Sequence, residues 1–286
     1  MLTNLLTGMR DFLHAQLCYQ LFITPLPIPL EKEYRDFAHR ACEFMANNRS
    51  NIINFHSPRH YVIHHFAQES NPQAKKVLIT HGWMSRAAYM VRTIRFLHQQ
   101  GYEVYALDFP AHGEARGLQL TWVDSVTILR ETLNNLGPFY AVIGHSFGGS
   151  MLLNTLNLAG QLPEWQLNTM PERAVLIASP TNMRAPISKC ARRFKLSAQG
   201  FQLLRNVIRQ HSDTNLKHLN FRHFTKGGQT PILCIHGKDD RTIDPKESII
   251  FCRNYPHASL ALIPDVDHVG VLIDKRVENI VCNFLL

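Results

Sequence analysis

The chain lacks the cysteine spacing of a metal-binding or redox module. Its six cysteines (Cys18, Cys42, Cys190, Cys234, Cys252 and Cys282) include no C-x-x-C pair and no ligand-like spacing. Several stand in apolar runs such as "ILCIH", where cysteine behaves as a small core hydrophobe. This usage points to a reducing, cytoplasmic compartment. Long hydrophobic runs are missing as well. Phe12 to Leu30 holds no Lys, Arg, Asp or Glu, but His14, Gln16, Gln20 and three prolines interrupt it. A spanning helix needs about 20 predominantly apolar residues, so none is expected there. No basic start followed by a small-residue cleavage site is present, so a signal peptide is not expected either. Internal repeats and low-complexity segments are absent. With 45% hydrophobic and 18% charged residues, the composition is that of a folded globular chain. Acidic residues are scarce in one place. Between Asn182 and Lys226, ten Lys or Arg face a single acid, Asp213, while the rest of the chain is balanced to within one charge.

What is present reads as alternating strands and helices. Leu2, Leu5, Leu6, Met9, Phe12, Leu13 and Leu17 recur at helical spacing. They predict an amphipathic N-terminal helix whose apolar face packs on the main domain, with a membrane surface as the alternative. "TPLPIPLEKE" is a proline-rich connector, and a second helix is expected around Tyr34 to Asn47. From Ile52 onward short apolar strands alternate with amphipathic helices. The strands include "KKVLITHGW", "YEVYALDFP", "FYAVIGHS", "ERAVLIASP", "TPILCIHGKDD" and "ASLALIPDVDH". That alternation implies an α/β fold with a mainly parallel sheet flanked by helices. Residues 1–50 are expected to form a helical extension packed on the core. Residues 51–286 are expected to form the main domain, carrying a short, basic helical cap at about 182–226.

In such sheets, chemistry gathers at the C-terminal ends of the strands. The residues just past the strands here are His81-Gly82-Trp83, Asp108, Ser146, Asp240 and His268. In "GHSFGG", Ser146 sits in a G-x-S-x-G pentapeptide between an apolar strand and a helix. This context lifts a serine hydroxyl above the sheet edge at a tight turn. A hydroxyl needs an adjacent base and a stabilised oxyanion to act as a nucleophile. His268 is the candidate base, to pass the proton from Ser146 to a leaving group. "HGKDDRTIDP" supplies the orienting acid: Asp240 is preferred, and Asp239 and Asp244 remain alternatives. The backbone N–H groups of Phe147 and Trp83 are the candidate oxyanion donors, and Trp83 also suits a pocket wall. His81, Gly82, Phe109, His145 and Met183 are placed around the substrate pocket. No partner at ligand spacing accompanies His81, and neither a metal nor an organic cofactor is required.

The order Ser146, Asp240, His268, together with "THGW", "LDFPAHGEA", "GHSFGG", "IHGKDD" and "DHVGVLID", resembles the α/β-hydrolase superfamily, its small bacterial esterase-like members especially. The resemblance spans roughly Asn51 to Leu286. It departs from the pattern at Ala111, where many relatives have glycine, and between Pro180 and Gly227, which matches no particular subfamily.

The resemblance implies a serine hydrolase of a small-molecule ester or thioester, acting through an acyl-enzyme on Ser146. Amide or C–C bond hydrolysis and cofactor-free haloperoxidation use the same triad, and a non-catalytic ligand-binding protein is the alternative of another class. In the basic segment Phe194, Phe201, Leu204 and Ile208 share one helical face, with Arg193, Lys195, Arg205 and Arg209 elsewhere. As a cap helix it would lay those apolar residues over the pocket. Its charge is either a solvated face or an attraction for anionic headgroups or a phosphate-bearing substrate such as acyl-CoA. Nucleic-acid binding is not expected, since no recognised module accompanies the charge. Nothing in the sequence fixes the oligomeric state.

Overall fold

A computed structural model describes residues 2–26, 32–182, 184–212 and 229–286. Its strands are β1 (Asn51–Phe55), β2 (Tyr61–Phe66), β3 (Lys76–Thr80), β4 (Glu103–Asp108), β5 (Ala141–His145), β6 (Arg173–Ile177), β7 (Ile232–Gly237) and β8 (Ala258–Ile263). They form one sheet in the order β1-β2-β4-β3-β5-β6-β7-β8. β1 and β2 run antiparallel to their neighbours, and all later pairings are parallel. The helices are α1 (Leu2–Ile23), α2 (Lys32–Asn48), α3 (Val91–Gln99), α4 (Trp122–Leu136), α5 (Phe147–Gln161), α6 (Arg184–Arg193), α7 (Ala198–Ser212), α8 (Lys246–Asn254) and α9 (Lys275–Leu285).

The central strands are apolar on both faces because helices cover both. Leu78 of β3 faces one core, with residues of α4, α5 and α8, while Val77 and Ile79 face the other, with residues of α2, α3 and α9. Local chemistry sets the helix starts. Thr121 and Asp124 form a reciprocal capping box ahead of α4, and the Asp274 carboxylate accepts from the Arg276 N–H to start α9.

Two expectations need correction. α1 does not bury the face formed by Met9, Phe12, Leu13 and Leu17, which are 48–61% exposed. It buries Ala15, Cys18, Tyr19 and Ile23 instead. The apolar residues of α1 run nearly round the helix, so periodicity alone does not single out a face. Tertiary fit does: Ala15 and Cys18 are small enough for close packing, and α1 lies along α7. The Ser197 hydroxyl donates to buried Asp11 at 2.6 Å, and the Tyr19 and His211 rings lie 4.7 Å apart. Cys18 Sγ meets Cys190 Sγ of α6 at 3.4 Å.

The second correction concerns the basic segment. It is not one helix: a turn with Lys195 at φ +50° separates α6 from α7. Leu204 and Val207 are buried on the side of α7 that meets α1, while Phe194 is partly exposed in the turn. α1 therefore occupies a surface that the helical spacing of the segment assigns to the pocket. Met183 and the part of the 182–226 insertion from 213 onward lie outside the described residues. No described helix is long and apolar enough to cross a membrane.

Candidate active site

The turn after β5 is built for a close crossing of strand and helix. A Cβ on Gly144 would lie 2.4 Å from Gly149 Cα, and one on Gly149 would lie 2.0 Å from Ser179 Oγ. A Cβ on Gly148 would lie 2.6 Å from the His81 carbonyl oxygen. α5 can thus start directly beneath the sheet edge only if these positions carry no side chain. Between them Ser146 adopts φ +49°, ψ −116°, a strained conformation for a residue with a side chain, and its N–H donates to the Ile177 carbonyl at 2.8 Å. The Ser146 hydroxyl lies 3.0 Å from His268 Nε2, and His268 Nδ1–H donates to Asp240 Oδ2 at 2.7 Å. The three side chains come from the ends of β5, β7 and β8.

Asp240, rather than Asp239 or Asp244, makes this contact. Asp239 is exposed, and Asp244 accepts from the Lys246 N–H at the start of α8. The Asp240 side chain is fully buried and all of its acceptor capacity is filled. Oδ2 also receives His236 Nε2 at 3.2 Å, and Oδ1 receives the Thr242 and Ile243 N–H groups at 2.8 Å each. Burial by itself would raise its pKa. The hydrogen bonds from His236 and His268 outweigh that and hold the carboxyl well below the usual range. His236 is positioned in turn by Ser248 Oγ at 2.8 Å. Asp240 therefore stays ionised and fixes the Nδ1–H tautomer of His268, leaving Nε2 free to accept from the Ser146 hydroxyl.

The oxyanion candidates are neighbours. Among the described residues the N–H groups of Trp83 and Phe147 donate to no group of the chain. The two rings are half-buried and meet edge-to-face at 5.2 Å. Gly82 lies directly against the turn, since a Cβ there would lie 3.2 Å from Ser146 Cβ. His81, Phe109 and His145 depart from their expected place. His81 and Phe109 are fully buried and His145 is nearly so, so they support the site from beneath instead of lining an accessible wall. His81 Nδ1–H donates to the Gly82 carbonyl, and its Nε2 accepts the Phe109 N–H at 3.1 Å. His145 Nε2–H donates to the His268 carbonyl at 3.1 Å, fixing the backbone of the candidate base. Burial pushes the His145 pKa down to about 3, so it is neutral at physiological pH and its ring adds no charge beside His268.

Two further residues support the site without a role assigned to them from the sequence. His112, in "PAHG", accepts the Met84 N–H at Nε2 (3.1 Å) and donates from Nδ1 to the Pro110 carbonyl (2.9 Å). It thereby holds the loop that carries Trp83, and burial keeps it neutral with a pKa of about 4. Asp108 is a structural hub. It accepts from the Ala87 and Glu114 N–H groups and from His64 Nε2 at 2.7–3.0 Å. Gly113, at φ +56°, leaves room for its carboxylate. The sequence held one signal for both: they lie in "LDFPAHGEA". A surface groove of about 730 Å³, lined by Tyr34, Phe37, Phe44, Arg40, Arg92 and Arg95, lies on the flank of the sheet by α2 and α3 and contributes nothing to this site.

A family model described as the alpha/beta hydrolase family matches residues 77–279, which include all three site side chains, and the chain belongs to that family. It is 23% identical over 255 residues to the pimeloyl-[acyl-carrier protein] methyl ester esterase of Nitrosospira multiformis, covering 74% of this chain and 95% of that protein. Among solved structures it is similar to Est1E from Butyrivibrio proteoclasticus, with a TM-score of 0.61 and 16% identity over 82% of this chain and 98% of that one. It is also similar to an esterase from Pyrococcus furiosus, with a TM-score of 0.60 and 19% identity over 92% and 96% of the two chains. At these identities the solved structures speak to the fold.

Proposed function

We propose that this protein hydrolyses a carboxylic ester or thioester through an acyl-enzyme on Ser146, with residues 51–286 as the catalytic domain and 1–50 as a helical extension. The observation that carries this reading is the unbroken relay from Ser146 Oγ through His268 to Asp240, at 3.0 and 2.7 Å. Ser146 Oγ attacks the substrate carbonyl carbon as its proton passes to His268 Nε2. The carbonyl oxygen gains the negative charge and accepts hydrogen bonds from the Trp83 and Phe147 N–H groups. Collapse of the tetrahedral intermediate breaks the bond to the alcohol or thiol, which leaves with the proton from His268. Water then attacks the acyl-serine with His268 again as base, and the acid departs. The half-buried Trp83 and Phe147 rings suit an apolar acyl group, and the names of the relatives favour ester substrates. The free thiols of all six cysteines suit a reducing, cytoplasmic setting.

The test is a panel of p-nitrophenyl esters from acetate to palmitate with acyl-CoA thioesters alongside. Turnover on at least one series is expected, with an optimum chain length that sizes the acyl pocket. A protein that hydrolyses no member and is not labelled at Ser146 by a fluorophosphonate would overturn this reading.

A further inference from the structure

Buried apolar surface normally decides how a helix is placed, yet α1 leaves its longer apolar side chains outside. Met9, Phe12, Leu13 and Leu17 are 55%, 48%, 61% and 56% exposed and fall on one arc of the helix. Isolated exposed apolar residues are ordinary, but a contiguous stripe of this kind marks an interaction surface. In the sequence, Leu2, Leu5 and Leu6 continue the same spacing.

What borders the stripe identifies its partner. The opposite side of α1 is anchored by the Asp11–Ser197 bond and the Cys18–Cys190 contact, which set the helix beside the turn joining α6 and α7. The end of α6 and that turn present Arg192, Arg193 and Lys195 to solvent, with Phe194 among them. Arg10 of α1 adds a guanidinium that is 61% exposed and lies 3.5 Å from the buried Asp11 carboxylate. Opposing charge is confined to Asp11, the single acid of α1, which is buried beneath Arg10, and the sequence from Arg173 to Ser212 contains no Asp or Glu. A second copy of the chain placed on this stripe would bring two basic turns together. An anionic bilayer supplies both complements, acyl chains for the stripe and phosphates for the cations.

We propose that α1 and the α6–α7 turn dock this protein on an anionic lipid surface. α1 lies in the interfacial plane with Met9, Phe12, Leu13 and Leu17 below the headgroups, and Arg10, Arg192, Arg193 and Lys195 contact the phosphates. This docking is independent of the chemistry at Ser146.

Cosedimentation of the full chain with vesicles tests it. Binding to phosphatidylcholine–phosphatidylglycerol vesicles is expected, with much weaker binding to phosphatidylcholine alone and loss at high salt. The triple variant Phe12→Ser, Leu13→Ser, Leu17→Ser is expected to lose at least about tenfold in affinity. Arg192→Gln with Arg193→Gln should lose about fivefold per charge removed. Both variants alter exposed positions, so thermal stability and hydrolysis of a soluble ester should match wild type, separating this result from failure of the hydrolase reading. Equal binding of wild type to both vesicle types, or to neither, would overturn the proposal. So would light scattering that finds a wild-type dimer which the triple variant breaks, because a second copy would then cover the stripe.

Discussion

Replacing Ser146 by alanine is expected to lower kcat by about 10⁶-fold toward any ester the wild type hydrolyses, with the substrate still bound. Steady-state kinetics beside a thermal melt is the check. The size of the loss comes from the geometry. His268 Nε2 has one protein partner positioned to give it a proton, the Ser146 hydroxyl at 3.0 Å, and alanine leaves the imidazole with no nucleophile to activate. The fold should be unaffected. The residue would keep its backbone hydrogen bond to Ile177, and alanine inherits the same positive φ, so no new strain is introduced. A variant retaining activity within tenfold of wild type, at an unchanged melting temperature, would remove Ser146 from the mechanism.

The Asp240→Asn variant should lose about 10⁴-fold in kcat, because an amide cannot do the work of a saturated carboxylate. Asp240 accepts from two imidazoles on one oxygen and two backbone N–H groups on the other. In either orientation an Asn NH₂ faces donors: with the NH₂ toward Thr242 and Ile243 it opposes two N–H groups. Turned the other way, it forces His268 into the tautomer that presents Nε2–H to Ser146, which cannot then accept the serine proton. The same change has a signature in stability. The native carboxyl titrates below its unfolded value of about 3.9, so its ionised form stabilises the fold above that pH, and the contribution is lost as pH falls toward the native pKa. Melting temperatures measured from pH 7 down to pH 3 should therefore fall for wild type partly on this account, and less steeply for Asp240→Asn. A kcat loss under tenfold, or parallel pH profiles, would count against this role.

The parts of the site that could be read from the sequence share one property: each is fixed by its position relative to a strand end. Ser146, Asp240 and His268 come after apolar strands, and parallel strands deliver their C-terminal ends to one edge. Side-chain direction was less accessible. His81, Phe109 and His145 also stand at that edge, but their side chains are buried, and a linear chain does not record which way a residue in a turn faces. His112 and His236 lie inside recognisable motifs, but their roles consist of hydrogen bonds to Met84 and Asp240, contacts that exist only once the loops are folded. Between Asp239 and Asp240 the folded loop decides: Asp240 is buried against His268 at 2.7 Å, and Asp239 is exposed. α1 failed for a different reason. Its apolar residues exceed what one buried face can take, so the pattern offered two faces and packing against α7 chose the one with small residues.

The Cys18–Cys190 contact has a practical consequence for anyone handling the protein. The sulfurs sit 3.4 Å apart; the hydrogen bond between them and then burial push the Cys18 thiol up, while the same bond lowers Cys190 against the opposing effect of burial. Two free thiols at this separation are placed for an oxidant such as oxidised glutathione or diamide to close a disulfide between them. A batch kept in reductant and one aged in air are therefore expected to be two covalently different molecules. In the second, the N-terminal helix is stapled to the rest of the chain. Their intact masses differ by the two hydrogens lost, and the aged batch should resist proteolytic release of its first helix.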